Sequence, residues 1–433
     1  MSPVARFMSS HSSCHLNVLR FKSHQVIFLI LSCQLLFFLP VRSQSLEEIS
    51  HQMLDDLGIP VYQGNRITLL PGGREKFDDM FACIRKAESY IHLEYFKFKD
   101  DSIGHALIDI LAEKVRQGVQ VRFVFDSYAS RSFTDKASFD PFLDSARAVG
   151  IDVREFDKVK FPYINHAYHR DHRKIVVVDG KYAYTGGMNV ADYYIHGTKK
   201  VGEWRDMHIR VEGPSVAAFE HIFSVMWYAV SGEVLELDPC YQVSAESVGE
   251  SPVAVVDRYP YEGSSQMRKT LARALDAAQS DIQIVNPYPT NVRTVRRALK
   301  RALKRGVNVQ IMVSTNCDNN ITPDVIGLEM KKMARRGATV WYYDGGFHHT
   351  KVMTIDHRFC SIGTTNLDGR SLLYDYEVNA FIYDPSVTQE LEEIFYRDVT
   401  RNCQAYKSAD WKKRFSLGHR IIGRLGSAVK TFF

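Results

Sequence analysis

Residues 172–189 read HRKIVVVDGKYAYTGGMN, and residues 349–366 read HTKVMTIDHRFCSIGTTN. In both segments a histidine and a lysine stand two residues apart, before a strand-like run, an aspartate and a glycine-containing stretch that ends in asparagine. Each position of the first segment has its counterpart 177 residues later. A chain that repeats such a pattern is built from two related halves, so this repeat decides the architecture.

The flanking sequence repeats the same order of helices and strands in residues 58–235 and 264–402. Amphipathic helical patterns end at Gly118 in the first half and at Gly306 in the second, and an apolar strand follows each. Strands that alternate with helices are typical of parallel sheets. The sequence therefore predicts an α/β protein of two homologous lobes, each with a mixed, mostly parallel sheet flanked by helices. Residues 236–263, which include a Ser- and Glu-rich run, are predicted to be a connector.

Composition and charge exclude several classes of protein. The 433 residues are 45% hydrophobic and 24% charged, which excludes a disordered protein, a collagen and a multi-span membrane protein. The formal net charge of +5 is unevenly spread, because residues 1–44 carry +4, residues 410–433 carry +5, and the part between them carries −4. The basic charge therefore says little about the ligand of the two lobes.

The two basic ends point to a membrane. Residues 26–41 form an almost continuous apolar run behind Arg20 and Lys22, which is short for a membrane span and typical of a signal peptide or signal anchor. We therefore expect residues 1–44 to direct export, rather than to form a buried core helix. In residues 410–433, large apolar residues alternate with basic ones, which predicts an amphipathic helix at an anionic membrane surface. A helix packed on the body of the protein is the alternative.

The repeated polar residues suit chemistry on a phosphoryl group. In an extended segment, residues i and i+2 point to the same face, so each histidine projects beside its lysine. Lysine and amide donors can hold phosphoryl oxygens while a histidine attacks the phosphorus or transfers a proton. The candidate catalytic residues are His172, Lys174, Asn189, His349, Lys351 and Asn366.

Two such sets indicate a division of labour. One histidine would form a phosphohistidine, and the other would act as general acid for the leaving alcohol and then as base for the acceptor. Asp206 and Glu377 follow each motif at a similar distance and could fix the histidine tautomers. One such motif alone would more often be an ordinary strand with surface charge. Two copies in register favour function, because a purely structural repeat has no need to keep the polar residues.

A metal site is a weaker interpretation. His166, His169 and His172 are spaced by three residues and could ligate a metal, but no further ligand type is evident beside them and His172 already has a role. The sequence therefore predicts no metal site.

At these motifs the chain resembles the phospholipase D superfamily and, over residues 58–402, the bacterial cardiolipin synthases. The resemblance implies a bilobal fold with both motifs at a pseudo-twofold interface, a phosphohistidine intermediate and no required cofactor or metal. It also implies that Asp206 and Glu377 orient the histidines and that Asp179 and Asp356 are structural parts of the motif. Besides the repeated motif, the resemblance rests on residues 64–66 with the LLPGG that follows them, 91–98, 204–206, 363–371 and 376–384.

The resemblance implies transfer of a phosphatidyl group between two phosphatidylglycerol molecules, giving cardiolipin and glycerol. Hydrolysis of phospholipid to phosphatidic acid is the alternative, and a phosphodiesterase nuclease or an inactive membrane-binding protein is favoured less. The predicted helix at residues 293–305 carries seven basic residues and no acid, so it could bind lipid headgroups, bind nucleic acid or be a solvated face. The expected partners are anionic phospholipid, specifically phosphatidylglycerol, and a membrane surface, with nucleic acid disfavoured. We expect the protein on the extracytoplasmic side of a bacterial cell membrane, or secreted or periplasmic if the leader is cleaved.

Overall fold

The computed structural model describes residues 54, 57–131, 136–158, 168–235, 243–260, 265–290, 292–319, 322–406 and 417–429. The predicted leader at residues 1–44 lies outside the described residues, as does part of the predicted tail.

Strands and helices alternate in the first half, as the sequence predicts. Its strands are β1 (Val61–Leu70), β2 (Tyr90–Tyr95), β3 (Gln120–Asp126), β4 (Asp152–Phe156), β5 (Lys174–Val178), β6 (Tyr182–Gly186), β7 (Trp204–Arg205) and β8 (His208–Glu212). Its helices are α1 (Gly73–Arg85), α2 (Ser102–Arg116), α3 (Ser127–Arg131), α4 (Lys136–Ala148), α5 (Tyr193–His196) and α6 (Val216–Ser231).

The second half repeats this order. Its strands are β9 (Ser251–Arg258), β10 (Asp281–Val285), β11 (Asn308–Ser314), β12 (Thr339–Tyr343), β13 (Phe347–His348), β14 (Val352–Ile355), β15 (Phe359–Gly363), β16 (Glu377–Ile382) and β17 (Cys403–Ala405). Its helices are α7 (Gln266–Ala277), α8 (Arg293–Arg305), α9 (Thr322–Ala334), α10 (Gly369–Leu373), α11 (Pro385–Asn402) and α12 (Leu417–Val429).

Local sequence explains where several helices begin and end. The Asp101 carboxylate accepts a hydrogen bond of 3.0 Å from the Gly104 N–H at the start of α2. At the end of α8, Gly306 adopts a left-handed conformation with φ of 86°, which glycine reaches without a steric penalty. Gly118 lies just beyond α2 with φ of 91°.

Fifteen strands form one sheet whose order mirrors itself about its centre. From one edge it runs β4-β3-β2-β5-β6-β8-β1 and continues β9-β16-β15-β14-β10-β11-β12-β17. The halves join where β1 pairs antiparallel with β9, with Val61 opposite Ala254. The mirrored order confirms the α/β class with two homologous lobes. A separate two-stranded sheet, β7 with β13, also joins the halves.

Parallel pairing is confined to part of each half. It links β2 to β3 and β3 to β4, and likewise β10 to β11 and β11 to β12. Around these strands the pairs are antiparallel, because the motif strands form the tight hairpins β5–β6 and β14–β15. The sheets are thus mixed, and the motif of each half lies in their antiparallel part.

Both halves contribute to one shared core. Ile209 and Val211 of the first half pack in the same apolar cluster as Ile362 and Val378 of the second. Separate clusters lie against the outer helices of each half. The shared cluster holds the faces of the two halves together behind the motif hairpins.

Two boundaries differ from the sequence prediction. The connector predicted for residues 236–263 contains β9, which pairs with both β1 and β16 at the centre of the sheet. Its alternating apolar residues are buried there, so residues 251–258 belong to the second half. Within the predicted tail at 410–433, residues 417–429 form α12, which packs on α9. Among the described helices, none has the length and apolar character needed to cross a bilayer.

Candidate active site at the junction of the two halves

Each motif hairpin brings its polar residues to the junction of the halves. Lys174 begins the fully buried strand β5, and His172 stands two residues before it. Lys351 and His349 stand just before β14 in the same arrangement. The apolar side chains of these strands are buried in the core, so the hairpins hold the polar ends in fixed positions.

Asp179 makes contacts that fix the hairpin. It lies at the turn between β5 and β6 with φ of 51°, and its carboxylate accepts hydrogen bonds of 2.8, 2.8 and 3.0 Å from the backbone N–H groups of Glu88, Ser89 and Tyr90. Asp356 makes the corresponding contacts at 2.8–2.9 Å with the N–H groups of residues 279–281. Both carboxylates therefore tie the hairpin turn to the start of the neighbouring strand, as expected of structural residues.

Each histidine is paired with a carboxylate from the opposite half. Nδ1 of His172 lies 2.9 Å from Oε1 of Glu377, and Nδ1 of His349 lies 2.7 Å from Oδ2 of Asp206. All four side chains are buried. A carboxylate at Nδ1 holds the proton there and leaves Nε2 unprotonated, which is the form that can attack phosphorus or accept a proton.

Both histidines and both motif asparagines line one cavity of about 520 Å³. Asn189 is held by two contacts, since its Oδ1 accepts from the Lys97 N–H at 3.0 Å and its Nδ2 donates to the Tyr194 hydroxyl at 2.9 Å. The structure therefore brings together the sequence-predicted residues of both halves in a single site.

Burial tunes the charge of the site. It lowers the pKa of His172 well below its usual value and that of His349 to about 4, and the charge of a motif lysine lowers each further, so both rings are neutral at neutral pH. Burial also lowers the pKa of Lys174 to about 7 and that of Lys351 to about 8. The Lys351 Nζ lies 2.9 and 3.0 Å from the two ring nitrogens of His349. An anionic phosphoryl group entering this site would favour the charged lysines.

The structure adds a residue that the sequence analysis did not single out. The Thr364 hydroxyl donates to Oε2 of Glu377, the carboxylate oxygen that does not face His172. Thr364 occupies the motif position that Gly187 holds in the first half. That difference between the repeats was a sequence signal for an unequal contact in the two halves.

The cavity wall also differs between the halves. Beside His349, the ring of Tyr193 packs on that of Trp204 with centroids 4.4 Å apart. The matching positions beside His172 hold Arg370 and Asp375, joined by a hydrogen bond of 2.9 Å. The sequence carried a signal for these residues, because Tyr193 and Arg370 both stand four residues after their motif asparagine.

The geometry offers no support for the metal interpretation. Nδ1 of His169 lies 2.9 Å from the carbonyl oxygen of Tyr374, and His172 is paired with Glu377. His166 lies outside the described residues. Within the described part of the chain, no group of three or more His, Cys, Asp or Glu side chains is placed to hold a metal ion.

Comparison with known proteins agrees with this site. The family model described as cardiolipin synthase, PLD-like domain, matches residues 80–227 and 271–399, once in each half. The chain is 36% identical over 336 residues to a protein described as a probable cardiolipin synthase, YwiE, of Bacillus subtilis, covering 77% of this chain and 66% of that protein. It is 32% identical over 359 residues to a cardiolipin synthase of Listeria welshimeri, covering 82% of this chain and 73% of that protein.

Solved structures share the fold. The phosphatidylserine synthase of Haemophilus influenzae superposes with a TM-score of 0.67 at 13% identity, covering 90% of this chain and all of that one. A polyphosphate kinase of Porphyromonas gingivalis gives a TM-score of 0.53 at 14% identity, over 80% of this chain and 49% of that one. With the family model matching both halves, the chain belongs to the cardiolipin synthase family of phospholipase D-type phosphatidyltransferases.

Proposed function

We propose that the protein transfers the phosphatidyl group of one phosphatidylglycerol to a second, forming cardiolipin and releasing glycerol. The observation that carries this proposal is the pair of neutral histidines, each held by a carboxylate of the other half, that face one cavity with the two motif asparagines. Relatives described as cardiolipin synthases support the choice of donor and acceptor.

The reaction has two displacements at phosphorus. In the first, Nε2 of one histidine attacks the donor phosphorus and the bond from phosphorus to the glycerol oxygen breaks, while the second histidine gives that oxygen a proton. In the second, the second histidine takes the proton of the acceptor hydroxyl, which attacks phosphorus as the N–P bond breaks. Lys174 and Lys351 stabilise the charge on the phosphoryl oxygens throughout. The structure treats the two histidines alike in this respect, so either could be the nucleophile.

The same phosphoenzyme could pass its phosphatidyl group to water. Purified protein is incubated with phosphatidylglycerol labelled in its terminal glycerol, in the presence of a chelator. Released glycerol with a dimeric phospholipid supports the transferase, whereas phosphatidic acid in its place supports a hydrolase. Cleavage of DNA without turnover of lipid would overturn both. H172A and H349A should each abolish turnover, and substantial activity in either variant would contradict the mechanism.

We also propose that the enzyme works at a membrane, on the extracytoplasmic side of the bacterial cell membrane, and that it is secreted or periplasmic if the leader is cleaved. The apolar run at residues 26–41 and the lipid substrates support this location. Cell fractionation with intact-mass measurement tests it. A soluble cytoplasmic species of full length would contradict export.

A further inference from the structure

The final described helix, α12, is attached to the protein by a narrow stripe of small and polar residues. Its His419 Nδ1 lies 2.9 Å from Oδ1 of Asp324 in α9. A Cβ at Gly423 would come within 2.6 Å of the Asp324 carbonyl oxygen, and one at Gly426 would come within 2.7 Å of a Val325 methyl group. Glycines thus let α12 lie directly on α9.

The apolar residues of α12 point elsewhere. Ile421, Ile422 and Leu425 are 48%, 44% and 68% exposed. Since a helix turns by roughly 100° per residue, these three side chains form one stripe, roughly a third of a turn from the docked one. A helix that docks on a protein body usually buries its apolar stripe, whereas this helix turns that stripe outward. The exposed Arg424 flanks it.

The outward stripe lies near the cavity mouth. Thr322, the first residue of α9, lines the cavity, and α12 crosses α9 within its first turn, at Asp324 and Val325. Tyr288 and Thr290, just before α8, line the cavity as well. The amino-terminal ends of α8 and α9 therefore border the opening, with α12 beside them.

The neighbouring surface is cationic. Helices α8 and α9 follow successive strands of one parallel set, so right-handed crossovers place them on the same side of the sheet. Lys300 on α8 lies close enough to Arg336, just past α9, and to Arg296 for their charges to lower its pKa. Arg293 and Arg297 are exposed on the same helix. This side of the second half therefore favours an anionic partner.

We infer that the outward stripe of Ile421, Ile422 and Leu425, with the basic surface of α8, docks the enzyme on an anionic bilayer so that the cavity mouth meets the lipid headgroups. The inference rests on the proposed function, because a lipid substrate must leave its bilayer to reach the buried histidines. Nucleic acid would match the basic surface but gives no role to three exposed aliphatic side chains. A bilayer accommodates both.

Co-sedimentation of the full chain with vesicles tests the surface. The triple variant I421S/I422S/L425S is compared with the wild type on vesicles of equal parts phosphatidylglycerol and phosphatidylcholine, and on phosphatidylcholine alone. The matched control is V225S/Y228S, which changes two exposed apolar residues of α6 in the other half. We expect the triple variant to bind anionic vesicles at least tenfold more weakly, and the control to bind like the wild type. Equal binding by the triple variant would overturn the inference.

Three further measurements close the alternatives. If the triple variant unfolds early, L425S alone, at the most exposed of the three positions, must still weaken binding, and no loss would overturn the inference. If light scattering shows that the triple variant only turns a dimer into a monomer while vesicle binding is kept, the stripe contacts a second copy instead. Loss of duplex DNA binding in place of vesicle binding would likewise overturn it.

Turnover separates this inference from the proposed function. The triple variant should keep full turnover of short-chain phosphatidylglycerol dispersed in detergent and lose turnover on vesicles. Absence of turnover in the wild type on both substrates would refute the proposed function, whatever the vesicle binding. Wild-type turnover with unchanged vesicle turnover in the variant would refute the docking surface alone.

Discussion

Replacing Glu377 with glutamine tests the pairing of each histidine with the opposite half. The Thr364 hydroxyl accepts a hydrogen bond of 3.0 Å from the Val378 N–H and donates to Oε2 of Glu377. In E377Q, the amide oxygen would take the position that faces Thr364, and the amide NH₂ would face His172. Nδ1 of His172 would then have to accept a hydrogen bond, and the ring proton would move to Nε2.

A protonated Nε2 can neither attack phosphorus nor accept a proton, so either role of His172 fails. Such a loss of acid–base or nucleophilic function costs about 100-fold to 10,000-fold in kcat, which corresponds to about 3–5 kcal/mol in the activation barrier. D206N should behave in the same way, because Oδ1 of Asp206 accepts from the Met207 N–H at 2.8 Å and its amide group would face His349.

The assay is single-turnover conversion of fluorescent phosphatidylglycerol at saturating substrate. The matched control is E220Q, since Glu220 lies 2.8 Å from Nδ1 of His92 in another buried pair outside the cavity. E220Q should keep kcat within a few fold even where it lowers stability. A kcat for E377Q within threefold of the wild type would refute the tautomer reasoning.

Three further predictions concern the motif residues. D179N and D356N should each lower the free energy of unfolding in urea by about 2 kcal/mol, because a charged acceptor of backbone N–H groups is lost, and a kcat loss without destabilisation would contradict their structural role. G187A should lower kcat by about 100-fold, because its Cβ would stand 2.1 Å from Oδ1 of Asp206; unchanged kcat would show that the carboxylate can move without cost. For the free enzyme, kcat/KM should fall above pH 8 by about tenfold per pH unit as Lys351 loses the proton with which it binds phosphate; a flat profile to pH 10 would exclude that dependence.

The repeat made the fold and the motif residues predictable from sequence. Residues offset by 177 positions had to occupy equivalent places in two related halves, and the mirrored strand order agrees. The helix ends at Gly118 and Gly306 followed from local chain geometry. β9 was assigned to a connector, because its short run beside Pro252 carries no helix pattern and its partners β1 and β16 are distant in sequence.

What the sequence could not give are contacts between distant residues. Spacing placed Asp206 and Glu377 after each motif, but that each serves the opposite histidine depends on how the halves meet. The outward stripe of α12 was equally hidden. Its amphipathic pattern fits docking on the body as well as on a membrane, and the structure shows that α12 docks on α9 through its glycines, leaving the apolar residues exposed.

The crossed pairs bind the evolutionary fates of the two halves together. A substitution at Asp206 is felt by His349, and one at Glu377 is felt by His172, so neither repeat can drift in these residues without compensation in the other. An isolated half would carry a histidine without its carboxylate. Descent from a single repeat would therefore require an ancestor that already assembled in pairs, with fusion preserving an arrangement that two separate chains had first made.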